Sequence, residues 1–161
     1  MRQLSSTLDE FSGPSMAKTS TIRILGAVLV LGFALSPALA ARKLGARTVL
    51  GIDNDPGAVT NARHNARLNH VTQARFIVAD VLRFKPSARF EVVTANLFSE
   101  LLIAALPVFR RALRPQGLLI ASGILREQTD AVLNALDRAG FELGKKRRRG
   151  KWVALQALGK K

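Results

Sequence analysis

The stretch Val49-Leu50-Gly51-Ile52-Asp53-Asn54-Asp55-Pro56 decides the fold that this sequence predicts. Its apolar start is unbroken, which is typical of a β-strand covered on both faces rather than of a strand with one wet face. Pro56 fits the first turn of a following helix, and Asp55 is a good N-cap for that helix. Asp53 is therefore expected at the tip of a buried strand.

A carboxylate at the tip of such a strand has a typical use. In open parallel sheets ligands bind at the carboxyl ends of the strands, and an acid that closes the second strand accepts hydrogen bonds from the ribose hydroxyls of a nucleotide cofactor. The alternative is that Asp53 and Asp55 do no more than cap the helix. We favour ribose binding by Asp53.

Strand and helix patterns alternate along most of the chain. Residues 1–21 are polar without an apolar period and are predicted to form a flexible leader, whereas residues 22–161 are predicted to form one domain. Strands are predicted at 47–52, 75–79, 90–95 and 117–122, helices at 56–69, 99–113 and 126–139, and a closing hairpin at 141–146 and 151–158. This order predicts an α/β fold with a mostly parallel sheet, helices on both faces and a C-terminal antiparallel hairpin.

Local signals mark several ends of these elements. Ser99 is predicted to cap the second helix, and Arg114-Pro115-Gln116-Gly117 is predicted to be the turn that stops it. Gly140 is predicted to end the last helix at its C′ position.

The composition excludes several kinds of site. The chain has 161 residues and no cysteine, which rules out disulfides, thiolate metal sites and cysteine nucleophiles. The two histidines, His64 and His70, lack the spacing typical of zinc ligands and are expected to face solvent. We therefore expect no metal site.

The formal net charge of +14 favours an acidic or nucleic-acid-rich environment. Much of this charge lies in the run from Lys145 to Lys151, which contains six Lys and Arg side chains. No aromatic residue is interleaved in that run to stack on bases. RNA contact and a solvated hairpin loop explain the run equally well.

Three polar residues follow apolar runs at matching points. Asp53, Asp80 and Asn96 each stand directly after a run of β-forming residues, so parallel strands would gather all three at one edge of the sheet. Asp80 could then accept from an exocyclic amino group such as that of adenine, and Asn96 could hold an amine nucleophile in line with an electrophile. Taken singly, each residue could instead cap a loop.

Five motifs occur together in a family-specific combination. They are Leu50-Gly51-Ile52-Asp53-Asn54-Asp55-Pro56-Gly57-Ala58-Val59, Ala62-Arg63-His64-Asn65-Ala66-Arg67-Leu68-Asn69, Ala95-Asn96-Leu97, Ile120-Ala121-Ser122-Gly123-Ile124-Leu125 and Trp152-Val153-Ala154-Leu155. The combination, over about Ala38 to Lys161, resembles the methyltransferase domain of the ribosomal protein L11 methyltransferases. This resemblance implies a Rossmann-like seven-stranded fold, S-adenosylmethionine as methyl donor and amino groups of an L11-like ribosomal protein as acceptors.

The resemblance also implies roles for single residues. Asp53 matches the family's ribose-binding acid, and the adjacent Asn54 is counted with the cofactor-binding residues. Asp80 matches the acid near adenine. Asn96 matches the residue after the fourth strand that lies beside the cofactor and the target amine, and it is therefore the candidate catalytic residue.

Two features of that family are missing from the sequence. Its glycine-rich turn should fall at Leu31–Leu35, where the chain reads Leu-Gly-Phe-Ala-Leu with a single glycine. Glycines there would let backbone N–H groups approach the methionine end of the donor, whereas Phe33 and Leu35 would crowd that space. The polar leader is also too short to form the family's separate N-terminal substrate-binding domain.

Residues 22–41 admit two accounts. In the first, they supply the first strand and its helix with a disturbed sequence, as after a shifted reading frame that recovers near Ala38. In the second, residues 16–40 act as a secretory signal with a basic start, an apolar middle and a small-residue cleavage site ending at Ala40. We favour the first because cleavage would remove a central strand. The apolar run is short for a membrane span, so no membrane association is expected.

The sequence thus predicts a cytoplasmic, S-adenosylmethionine-dependent N-methyltransferase of protein amino groups, impaired or inactive if the altered turn no longer holds the donor. Two alternatives stay open. One is a non-catalytic basic domain that binds ribosomal RNA through residues 145–151, and the other is an exported basic protein.

Overall fold

The structure is a computed structural model that describes residues 26–32 and 36–161. Its strands are β1 (Ala27–Gly32), β2 (Thr48–Asp53), β3 (Ala74–Val78), β4 (Phe90–Asn96), β5 (Leu113–Leu125), β6 (Phe141–Arg149) and β7 (Trp152–Gly159). Its helices are α1 (Ser36–Lys43), α2 (Pro56–Leu68), α3 (Ser99–Ala112) and α4 (Thr129–Arg138), the last preceded by a 3₁₀ turn at Arg126–Gln128. The predicted leader at 1–21 and residues 33–35 of the altered turn lie outside the described residues.

One seven-stranded sheet organises these elements, in the order β3-β2-β1-β4-β5-β7-β6. Strands β1 to β5 pair in parallel, whereas β7 runs antiparallel to both β5 and β6. The predicted fold class is confirmed: a Rossmann-like, mostly parallel sheet that closes with an antiparallel hairpin.

Strand β1 shows why the central runs are apolar throughout. Val28 and Val30 belong to the core layer that includes Ala38 of α1 and Val59 of α2. Leu29 and Leu31 point the other way, because side chains alternate along a strand, and they belong to the layer beneath α3 and α4. Helices therefore cover both faces of the sheet.

The helix ends confirm two predictions and overturn one. The Asp55 side chain caps α2 by accepting from the Gly57 N–H at 2.8 Å, with Pro56 in the first helical position. Gly140 follows α4 with a φ of 78°. The predicted Ser99 cap of α3 is wrong, because Phe98 occupies the cap position with an extended backbone and Ser99 is already helical.

Two predicted loops are parts of strands. Residues 114–117, predicted as a turn, lie within β5, where its register with β4 moves from Phe90↔Leu113 to Val92↔Leu118. The hairpin strand predicted to end at residue 146 continues to Arg149, since the basic residues pair with β7. The hairpin turn therefore lies at Gly150–Lys151, and the cations from Lys145 to Arg149 stand on a strand. Among the described residues, no helix has both the length and the apolar character needed to span a membrane.

Candidate functional site

The register of the parallel strands places four chain positions in one row at the carboxyl edge of the sheet. Gly32 of β1 pairs with Asn96 of β4, which in turn pairs with Ser122 of β5. On the other side, Asp53 of β2 follows the Leu31↔Ile52 pair by one residue. Two of the three residues that the sequence predicts at this edge, Asp53 and Asn96, therefore lie in one row on either side of Gly32.

Asp53 is a buried carboxylate at the end of β2. It is 8% exposed, and its Oδ1 accepts a hydrogen bond from the Asp55 N–H at 3.0 Å. No described residue donates a hydrogen bond to its Oδ2, so one strong acceptor remains at the strand tip. Asn54, the next residue, is exposed at the same edge.

Asp80 lies in the loop that follows β3, the strand next to β2. The Ala79 N–H donates to the Asp53 main-chain oxygen at 2.9 Å, which fixes Asp80 just past the end of β2. Its Oδ1 accepts from the Leu82 N–H at 2.9 Å, and its Oδ2 lies 3.7 Å from Arg83 Nε. Asp80 thus caps its own loop while its side chain stays half exposed. The two carboxylates stand at the same edge of the sheet.

Asn96 is held in place from β5. The Ser122 hydroxyl donates to Asn96 Oδ1 at 3.1 Å. Gly123 has a φ of 85°, and a Cβ there would stand 2.7 Å from the Leu97 carbonyl oxygen and 3.0 Å from Asn96 Oδ1. The glycine is therefore required both by its backbone conformation and by the close approach of the Asn96 segment.

Ser122 and Gly123 are the site residues that sequence reasoning missed. In the sequence they belong to a motif but have no assigned role. A signal was present, since Ser122 follows the apolar run Leu118–Ala121 in the same way that Asn96 follows its own strand. Applying the strand-end argument to the fifth strand would have identified it.

The hydrogen-bonding groups at this edge of the sheet fit the nucleoside half of S-adenosylmethionine. A buried carboxylate at the tip of the second strand suits ribose hydroxyls, and carboxylates, which are acceptors alone, suit an exocyclic amine. Gly32, the one glycine of the altered turn, ends β1 within the row, between Asp53 and Asn96. Within the described residues, no cluster of histidine and acidic side chains is placed to hold a metal ion.

Comparison with known proteins identifies the family. Residues 36–160 match the family described as ribosomal protein L11 methyltransferase (PrmA). The ribosomal protein L11 methyltransferase of Desulforapulum autotrophicum is 40% identical over 120 residues, which cover 74% of this chain and 40% of that protein. The enzyme of the same name from Pelotomaculum thermopropionicum is 39% identical over 74% of this chain and 39% of its own length. The chain spans about two fifths of the length of these curated relatives.

Solved structures agree with this result. A ribosomal protein L11 methylase from Lactobacillus delbrueckii subsp. bulgaricus has a TM-score of 0.79 and 30% identity, covering 84% of this chain and 70% of that one. The N-methyltransferase NodS of Bradyrhizobium japonicum in complex with S-adenosyl-L-homocysteine has a TM-score of 0.66 at 14% identity, covering 88% and 84% of the two chains, and shares the fold. The family match, the relatives and the strand order lead to one conclusion: this chain belongs to the ribosomal protein L11 methyltransferase family.

Proposed function

We propose that this chain binds S-adenosylmethionine at the carboxyl edge of β1, β2 and β4 and transfers its methyl group to an amino group of an L11-like ribosomal protein. The observation that carries the proposal is the row formed by Asp53, Gly32 and Asn96 at adjacent strand tips. Membership in the L11 methyltransferase family supplies the donor and the acceptor class.

The nucleoside is held by the acidic end of the row. Asp53 Oδ2 accepts from a ribose hydroxyl, while its Oδ1 is kept in place by the Asp55 N–H. Burial of the carboxylate strengthens such a hydrogen bond, because little water competes for the acceptor. Asn54 borders the ribose, and the half-exposed Asp80 accepts from the adenine amino group.

Asn96 orients the nucleophile. When bound, S-adenosylmethionine would supply a methyl group on a positively charged sulfur: the amine nitrogen would bond to the methyl carbon as the carbon–sulfur bond breaks, and the neutral thioether would leave. The hydrogen bond from Ser122 fixes the Asn96 amide at the strand tip, and an amide in this place can orient an amine nucleophile. Holding the neutral amine in line lowers the entropic part of the barrier, and the released proton can pass to water.

We further infer that residues 22–161 act as one domain in the cytoplasm, where ribosomal proteins are made. The position of β1 supports this inference, because it pairs with β2 on one side and β4 on the other. Cleavage of a secretory signal after Ala40 would remove β1 and part of α1 and leave two parallel strands without a shared neighbour.

The test is donor binding by calorimetry with the Asp53→Asn variant. Asparagine keeps an acceptor for the Asp55 N–H but removes the charge and one acceptor from the strand tip. A hydrogen bond to a charged group contributes about 1.5–3 kcal/mol, so the Kd for S-adenosylmethionine should rise about tenfold to a hundredfold. Asp130→Asn, an equal change at an exposed position of α4, should leave the Kd unchanged.

Two outcomes would contradict the proposal. Equal affinity in Asp53→Asn and the unaltered chain would remove the ribose role of Asp53. Absence of donor binding by the unaltered chain, together with salt-sensitive RNA binding, would favour the non-catalytic alternative.

A further inference from the structure

The β6–β7 hairpin forms a two-stranded ribbon with a charged edge. Strand β6 is the last strand of the sheet, and its residues from Glu142 to Arg149 are all exposed. Five of the six cations of the basic run stand on this strand, and Lys151 lies in the turn. Charges on an edge strand protect against edge-to-edge aggregation.

The register divides these cations between two faces of the ribbon. Lys146 pairs with Leu155 and Arg148 with Val153, so these two cations lie on the face whose β7 residues are buried. Lys145, Arg147 and Arg149 pair with the alternate residues Gln156, Ala154 and Trp152. We call the face that carries Lys145, Arg147, Arg149 and Trp152 the outer ribbon face.

Trp152 adds an aromatic surface that was not visible in the basic run itself. It pairs directly with Arg149 across the hairpin and is 43% exposed. Lys151 Nζ lies 5.4 Å from the centroid of its ring, a cation–π contact that orients the indole. The outer ribbon face thus combines cations with an exposed aromatic side chain, which is the pairing that binds unpaired bases.

The spacing of the cations fits a single nucleic-acid strand. Residues two apart on a strand are separated by about 6.8 Å, which is comparable to the distance between successive phosphates of an extended single strand. Within the described part of the chain, no salt bridge occupies Lys145 or Arg149. Their charges are therefore available to phosphates.

We propose that the outer ribbon face binds single-stranded RNA, with Lys145 and Arg149 on phosphates of the strand and Trp152 stacked on an unpaired base. A duplex would leave the indole without a base to stack on. The choice of RNA over DNA rests on the proposed function, because a ribosomal protein substrate occurs together with RNA.

The tip of the ribbon lies beyond the carboxyl ends of the parallel strands, which is the edge of the sheet that carries the candidate site. Leu125 of β5 pairs with Trp152, three residues beyond Ser122 of the site row. At about 3.3 Å per residue, the tip of the hairpin projects about 10 Å past that row. RNA on the outer ribbon face would therefore pass beside the amine-binding edge.

The test compares two variants of equal composition. Lys145→Gln/Arg149→Gln removes one Lys and one Arg from the outer ribbon face, and Lys146→Gln/Arg148→Gln removes one of each from the opposite face. Binding of a labelled single-stranded RNA to the full chain is measured by fluorescence anisotropy from about 50 to 200 mM salt. The measurement needs no methyl donor, so it succeeds or fails independently of methyl transfer.

The outer-face variant should bind RNA about tenfold more weakly, and the slope of log K against log salt should fall by about 1.4, or about 0.7 for each phosphate that the variant no longer neutralises. The opposite-face variant should lose roughly threefold in RNA affinity at most, because it lowers only the overall positive potential of the chain. Trp152→Leu should weaken binding about tenfold, and Trp152→Phe should restore most of it, because phenylalanine still stacks. Circular dichroism and thermal unfolding show whether each variant is folded.

Three results would overturn the proposal. One is an equal loss in the two charge variants, which would mean that the net charge alone attracts RNA. Another is tighter binding of single-stranded or duplex DNA than of RNA by the unaltered chain. The third is that the unaltered chain fails to bind RNA at the lowest salt concentration.

Discussion

Strands β1 and β6 occupy opposite situations in the same sheet. Strand β1 pairs with a parallel neighbour on each side, and its side chains from Val28 to Leu31 are at most 2% exposed. Strand β6 pairs with β7 at the edge of the sheet and exposes every residue after Phe141. Strand β1 is stabilised by burial on both faces, and strand β6 is stabilised by pairing with β7. We therefore expect substitutions in the centre to change stability and substitutions in the hairpin to change binding.

The largest expected effect is on the centre of the sheet. Leu29 is fully buried, so Leu29→Ala leaves a cavity and should lower the free energy of unfolding by about 3–5 kcal/mol. Leu158 of β7 is 44% exposed, and Leu158→Ala should cost about 1 kcal/mol or less. Urea unfolding of the two variants measures the difference. Equal losses would mean that β1 does not have the buried central position described above.

Two glycines sharpen the comparison at a smaller scale. Gly123 and Gly150 both have positive φ, of 85° and 57°. A Cβ at Gly123 would stand 2.7 Å from a carbonyl oxygen, whereas a Cβ at Gly150 would meet nothing within 4 Å. Gly123→Ala should therefore lower the free energy of unfolding by about 2–4 kcal/mol, and Gly150→Ala by about 1 kcal/mol from backbone strain alone.

The same two variants should also differ in methyl transfer, because Gly123 lies beside Asn96 and Gly150 lies in the hairpin turn. Displacement of Asn96 by the new methyl group should weaken methyl transfer in Gly123→Ala, while donor affinity, which we propose to depend mainly on Asp53, should change little. Gly150→Ala should leave methyl transfer and donor affinity unchanged. Thermal unfolding measures the loss of stability, and single-turnover methylation measures the loss of methyl transfer. Full transfer activity in a folded Gly123→Ala variant would contradict the role proposed for Asn96.

The central elements could be predicted because their signals are local. The unbroken run before Asp53, the Asp55 cap and Pro56 together specify a buried strand and the start of a helix, and the structure confirms each of them. The parallel arrangement then follows from the alternation of strands and helices. The row of Asp53, Gly32 and Asn96 is a consequence of that arrangement and of matching strand lengths.

The hairpin could not be predicted to the same extent because tertiary pairing decides it. A run of like charges has low strand propensity, yet Lys145 to Arg149 form a strand since each residue has a partner on β7. The pairing of Arg149 with Trp152 depends on where the turn falls, and the turn lies at Gly150–Lys151 rather than directly after residue 146, where the sequence predicts it. At the other end of the chain, the sequence favours a central strand over a signal segment for an apolar run such as Ala27–Leu31, and the run pairs in parallel with a strand on each side.

The smallest expected effect is an exposed ion pair at the end of the hairpin strand β7. Lys160 Nζ lies 2.6 Å from Asp137 Oδ1, and this hydrogen bond and the charge of the ammonium lower the pKa of the Asp137 carboxyl below its ordinary value of 3.8. Because the folded pKa is the lower one, the pair stabilises the folded chain above pH 3.8, and this stabilisation is lost as the pH falls through the folded pKa. Lys160→Gln should return the Asp137 titration, followed by carboxyl NMR, to its ordinary range. The change in thermal midpoint should be small at neutral pH, as for other exposed pairs, and should vanish in acid, with Lys161→Gln as the control. An unshifted Asp137 titration in the unaltered chain would show that solvent and salt screen this pair completely.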